Sequence, residues 1–272
     1  MFWDMEEDYN LIKPVLKELD SEDWEIYRGA YGNVKEVVEE LVQEETEEAF
    51  EDLCEGISHQ MSYYPAINFV MPYLVEHLAK HLDSLELEKQ VQYLSRLGLC
   101  LATDIAPNRG HRPEPEGSKK DPYFASCEKL KALAKYFLRQ HAGELKALSP
   151  VDLSMFGIGM LAIFGNRADA YVLFFCSDFI SLCCTACKYE DEELILEDKD
   201  TLGAIKPAEP VYDRWDGQDF SDTYTWYSGF MKAIGAEREV EHLSYHFGTY
   251  TCPECGTKSR VMDLMKEAFA CA

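Results

Sequence analysis

The chain has 272 residues, 47% of them apolar, enough to bury one large core or two modest ones. Its 50 acidic residues outnumber 26 basic ones and leave a net charge of −24. That charge repels a nucleic-acid backbone or an anionic membrane surface and attracts a basic protein partner.

The opening MFWDMEEDYN has neither the basic region nor the apolar run of a secretion signal. Ten cysteines without a leader point to reduced thiols and metal binding, so a cytoplasmic location is expected. Within residues 1–20, Leu11, Ile12, Val15, Leu16 and Leu19 predict a short helix with Pro14 in its first turn. Trp24 and Tyr27 are expected to plug the end of the core.

Val34, Val37, Val38 and Leu41 form one helical stripe, and Ala49, Phe50, Leu53, Cys54 and Ile57 a second. Glu36, Glu39, Glu40, Glu44, Glu45, Glu47, Glu48, Glu51, Asp52 and Glu55 make this hairpin densely acidic. Such a run is either a solvated face or a docking surface for a basic partner. Ile67, Val70, Met71, Leu74, Val75, Leu78 and Leu82 then recur in steps of three and four. Asp83 and Glu86 read as a capping box before Leu87, Val91, Leu94, Leu97 and Leu101. Asn33–Leu101 thus predicts two consecutive helical hairpins, the unit of an α-solenoid.

Several strings here carry a resemblance. Trp24-Glu25-Ile26-Tyr27-Arg28, Ala30-Tyr31-Gly32-Asn33, His59-Gln60, Tyr64-Pro65-Ala66 and Met71-Pro72-Tyr73-Leu74 together resemble bacterial HEAT-like repeat proteins. The match spans Trp24–Leu78 and departs at Met61, where a glycine often follows the His-Gln pair. The resemblance implies a HEAT/armadillo-like helical scaffold. Some relatives are thought to neutralise toxins as immunity proteins, and no catalytic residues come with the family.

Asn108–Pro122 reads as a long, locally basic loop, a linker or a functional segment. Asp121-Pro122 and Ser149-Pro150 each start a helix, giving a third hairpin with Phe137 on its inner stripe. Ile67, Val70, Leu74, Leu94 and Phe137 should all be buried within residues 33–165. Met155–Cys184 is apolar but too interrupted by Asn166, Arg167, Asp169 and Asp178 to span a membrane. After Asp178 the character changes: Phe179–Leu182 and Glu193–Glu197 read as short strands. Asp219–Ile234, Glu237–Tyr245 and Arg260–Phe269 read as helices, and Thr249–Thr251 leads into Cys252. The chain therefore divides into a repeat region, 1–178, and a C-terminal region, 179–272.

The strongest chemical signal is Cys184-x-x-Cys187 with Cys252-x-x-Cys255. Each pair can hold one ion through a tight knuckle, and four thiolates make a closed, structural zinc site. Gly256 suits the second knuckle, whereas Lys188 stands where the first would want glycine, and Cys183 adjoins Cys184. A thiol-redox pair and plain buried cysteines are the competing readings. His242 and His246, one helical turn apart, are helix-surface residues, supporting groups beside the metal or substitute ligands. His77 and His81 read as surface residues, and His59 as a side chain tying a helix end. No phosphate loop, serine elbow or dinucleotide fingerprint is present in the sequence.

Taken together, the residues predict a mainly α solenoid with a C-terminal zinc-ribbon-like element. Its expected role is a protein-binding scaffold. A metal-dependent enzyme with an open zinc site near His242 or His246 is the alternative, and a nucleic-acid reader, opposed by the charge, comes third.

Overall fold

The computed structural model describes residues 8–107, 114–209 and 222–270. Eleven α-helices, α1–α11, and five short strands, β1–β5, account for most of them. After the single turn α1 (Asp23–Ile26), six helices follow: α2 (Lys35–Glu44), α3 (Glu47–Ser58), α4 (Ile67–His81), α5 (Leu87–Ala102), α6 (Asp121–His141) and α7 (Pro150–Ile163). These are the helices that the three- and four-residue spacing predicts. Ile67, Val70, Leu74, Leu94 and Phe137 are fully buried.

The packing partners are not always chain neighbours. Helix α4 packs most closely on α6, and α5 on α7, so the α4–α5 hairpin lies against the α6–α7 hairpin. At the centre of the α5–α7 crossing a Cβ on Gly98 would intrude on Gly159, and one on Gly159 would come 2.8 Å from the Ser95 Cα. Close backbone approach, not side-chain interdigitation, sets this contact. Helix α7 is buried continuously from Phe156 to Ile163, which explains its nearly unbroken apolar sequence.

The start signals hold with small shifts. Ser149 caps α7 by accepting from the Asp152 amide at 3.1 Å. Asp121 and Pro122 sit inside α6, after Lys120 as the cap residue. Asp83 does not cap α5. It lies in a 3-10 turn, Leu82–Ser84, and Glu86 precedes the helix without a side-chain cap. Gln90 serves instead, donating to the carbonyls of Leu82 at 2.7 Å and Leu85 at 3.0 Å. The expected N-terminal helix is also corrected. Only Tyr9–Leu11 turns, as 3-10, and residues 12–18 carry no helix, leaving Leu11 and Val15 exposed. Pro14 interrupts the segment, which lies on the α4 side of the molecule, where the Tyr73 hydroxyl donates to the Lys17 carbonyl.

The acidic hairpin is neutralised in part from within. Glu45 pairs with Lys80 of α4, Glu47 with Lys89 of α5, and Glu51 with Arg96 of α5 at 3.2 Å. Each exposed pair is worth little, but together they orient α3 on its neighbours. Of the loop 108–122, residues 108–113 lie outside the described residues. Its later part is tied down: Lys119 reaches the buried Asp23 at 2.8 Å and Lys120 reaches Glu114 at 2.6 Å.

Past Asn166, α8 (Arg167–Phe175) leads into an antiparallel hairpin of β1 (Phe179–Cys183) and β2 (Glu190–Ile195). The second strand starts three residues earlier than its sequence suggested. A three-stranded sheet follows, ordered β3 (Ile205–Lys206), β4 (Thr249–Thr251), β5 (Lys258–Arg260). Between β3 and β4 lie α9 (Thr223–Ala233) and α10 (Glu237–His246), and α11 (Val261–Ala270) packs back on α8 and β1. The predicted start of α9 at Asp219 falls outside the described residues; Asp222 caps the helix. One apolar cluster runs from Trp24 to Met265 through both regions. Among the described residues no helix is long and apolar enough to cross a membrane.

Candidate metal centre

Each Cys-x-x-Cys pair sits at the tip of a β-hairpin. Cys183 pairs with Glu190 across β1 and β2, and Thr251 with Lys258 across β4 and β5. The loops between, Cys184–Tyr189 and Cys252–Thr257, have the same length and the same bonds. The Cys184 amide donates to the Tyr189 carbonyl at 2.8 Å, and the Lys188 amide to the Cys184 carbonyl at 2.9 Å. In the second loop Cys252 donates to Thr257 at 2.9 Å, and Gly256 to Cys252 at 2.9 Å.

The residue after the second cysteine is left-handed in both, Gly256 at φ 72° and Lys188 at φ 63°. The first knuckle therefore adopts the geometry of the second despite lacking glycine. A lysine held there costs roughly 1–2 kcal/mol of backbone strain.

The two tips meet. The sulfurs of Cys184 and Cys255 lie 3.6 Å apart, as do those of Cys187 and Cys252, and all four fall within 4.8 Å of one another. Tetrahedral zinc with bonds of about 2.3 Å would place its sulfurs about 3.8 Å apart, so the donor set fits such an ion. The first cysteine of each pair is buried and the second exposed. Crowding splits the thiols. Hydrogen bonds from the Thr257 side chain and amide pull Cys255 down to about 6. At Cys187 the Tyr189 amide favours the thiolate, but desolvation and the adjoining thiols prevail and push it up to about 12. One sulfur thus ionises readily while a neighbour resists, the behaviour of a cluster that a cation would relieve.

The other sequence candidates lie elsewhere. Cys183 is outside the four-sulfur group, its sulfur 4.0 Å from the Cys184 carbonyl. His242 and His246 are also outside it, and they are buried, not on the helix surface. His246 directs Nε2 at the Cys176 carbonyl, 2.7 Å away, and Nδ1 at the His242 carbonyl, 3.0 Å away. Burial pushes its pKa down to about 4. His59 does tie a helix end: its Nδ1 lies 2.6 Å from Glu55 and 2.9 Å from the Tyr31 hydroxyl. The expectation that His77 is a surface residue is corrected, since burial holds its pKa down at about 4.

The fold and site together define a mainly helical protein whose C-terminal hairpins bring four thiols to one point. Compared with models of known families, with curated proteins and with solved structures, the chain matches none.

Proposed function

We propose that this chain is a non-enzymatic protein-binding scaffold, a HEAT/armadillo-like solenoid closed at its C-terminal end by one structural zinc ion. Stacking of the α4–α5 hairpin on the α6–α7 hairpin carries the reading, because hairpins laid side by side leave long helical faces for a partner. Four sulfur donors and no histidine in the cluster support a closed ion rather than one holding water. Both ring nitrogens of His246 already face carbonyls, which weighs against the enzyme alternative. The net charge of −24 favours a basic partner, and the resemblance to immunity-like relatives makes a toxin one specific candidate.

The test is affinity capture from native extract, followed by binding of the captured protein at low and high salt. A basic partner should associate more slowly as salt rises, since exposed charges are screened beyond about 10 Å at 0.1 M. Charge reversal at the exposed Glu44, Glu48 and Asp52 should slow association without lowering stability. Substrate turnover requiring an ion that carries water would replace the scaffold with the enzyme.

A further inference from the structure

A groove of about 320 Å³ lies on the face shared by α3, α5 and α7. Val91, Ser95 and Leu99 form one stripe of α5 along its floor, and Met155 of α7 lines it as well. From Val91 to Leu99 the helix rises about 12 Å, the length of two helical turns. Val151 lies one turn before Met155 on the same face of α7 and is 69% exposed, so the apolar surface continues beyond the groove.

The charges are acidic on both flanks. Glu51 comes from α3, and Asp152 from α7. Arg96, the one cation among the lining residues, is held by Glu51 at 3.2 Å. A carboxylate surplus therefore remains, on a chain already at −24. An apolar strip two turns long between acidic flanks is complementary to a helix that is apolar on one side and cationic beside it. Met155 adds an adaptable contact surface.

We propose that this groove docks an amphipathic basic helix of a protein partner, its apolar side on Val91, Leu99, Met155 and Val151 and a flanking Lys or Arg on Asp152. The proposal rests on the scaffold reading and names the surface and the partner chemistry.

Two synthetic peptides of identical Lys, Leu and Ala composition test it against the full chain in fluorescence anisotropy. One carries Leu at helical three- and four-residue spacing, and the other is scrambled. The patterned peptide should bind at least about tenfold tighter. Met155→Glu should abolish that preference while holding or raising affinity for the scrambled peptide, because it adds negative charge. Val151→Glu, at an exposed position that does not threaten folding, should do the same. Asp152→Asn should weaken the patterned peptide severalfold. Equal binding of the two peptides would overturn the proposal, as would a preference that survives both Glu substitutions. Sedimentation showing a dimer of this chain that Val151→Glu dissociates would assign the groove to a second copy instead. A captured native partner indifferent to Val151→Glu would remove the groove yet leave the scaffold reading standing.

Discussion

Gly98 of α5 rests directly on Gly159 of α7, with no side chain between the two backbones. The contact lies between two of the most extensively packed helices in the molecule. A methyl group at Gly98 has no room unless the helices separate. Gly98→Ala should therefore destabilise the protein by about 1–3 kcal/mol through overpacking, despite its better helix propensity. Urea denaturation of the pure protein measures this. A stability equal to or above that of the parent would mean that the crossing relaxes freely.

Lys188 gives the opposite sign. At φ 63° it occupies the conformation that Gly256 occupies in the sister knuckle. Lys188→Gly should raise stability by about 1 kcal/mol, the strain relieved less the extra freedom glycine gains when unfolded. Lys188→Ala should leave stability nearly unchanged, because alanine carries the same Cβ. Thermal melts of the three proteins decide the matter, and an alanine variant as stable as the glycine variant would discount backbone strain.

The metal proposal predicts one zinc per chain with four sulfur ligands. Cys255 is exposed, so Cys255→Ser removes a ligand without opening the core. Metal content should fall and proteolysis within residues 179–272 should quicken, while circular dichroism still reports mostly helix. The helices from α2 to α7 bury their own stripes and do not depend on the ion. Elemental analysis with X-ray absorption checks the stoichiometry and the ligand set. A metal-free chain, or an ion coordinated by oxygen, would reject the site.

His246 predicts a pH effect. Its folded pKa lies at about 4, below the ordinary 6.5, mainly because burial disfavours the imidazolium. Above pH 6.5 both states are neutral and the residue has no influence. As pH falls toward 4, the unfolded chain takes up a proton that the folded chain refuses. Stability then drops by up to about 1.4 kcal/mol per pH unit from this group. His246→Gln should remove that component of the slope. Denaturation of parent and variant at pH 7 and pH 5 isolates it, since protonation of the cysteines acts on both alike. Parallel slopes would show that His246 titrates in the fold as it does in solution.

The legible parts were those whose information is local. Steps of three and four residues placed α2 to α7, and Cys-x-x-Cys spacing marked both knuckles before their meeting was visible. Burial of His242 and His246 was not legible, because Val240 and Leu243 mark one stripe of α10 and say nothing about how wide an arc the neighbouring helices cover. The cap of α5 was misread because Asp83-x-x-Glu86 fits a pattern while Gln90, already inside the helix, satisfies the carbonyls before it. The role of Glu45, Glu47 and Glu51 was hidden for a related reason. Their cations, Lys80, Lys89 and Arg96, come from helices that only folding brings alongside. Lys188 looked like a departure from the knuckle, yet six residues closed by a β-pair at their ends impose the turn whatever occupies it.

The two hairpins are far apart along the chain but join at their tips, so a bound ion turns everything from Cys187 to Cys252 into a closed ring. Helices α9 and α10 lie inside it. A peptide bond cut within the ring would still leave both fragments fastened through sulfur and metal. The nicked protein would travel as one species in native separation and fall apart only when the fold and the ion were both removed. In this end of the molecule continuity of the polypeptide and continuity of the structure are separate properties, and the second does not require the first.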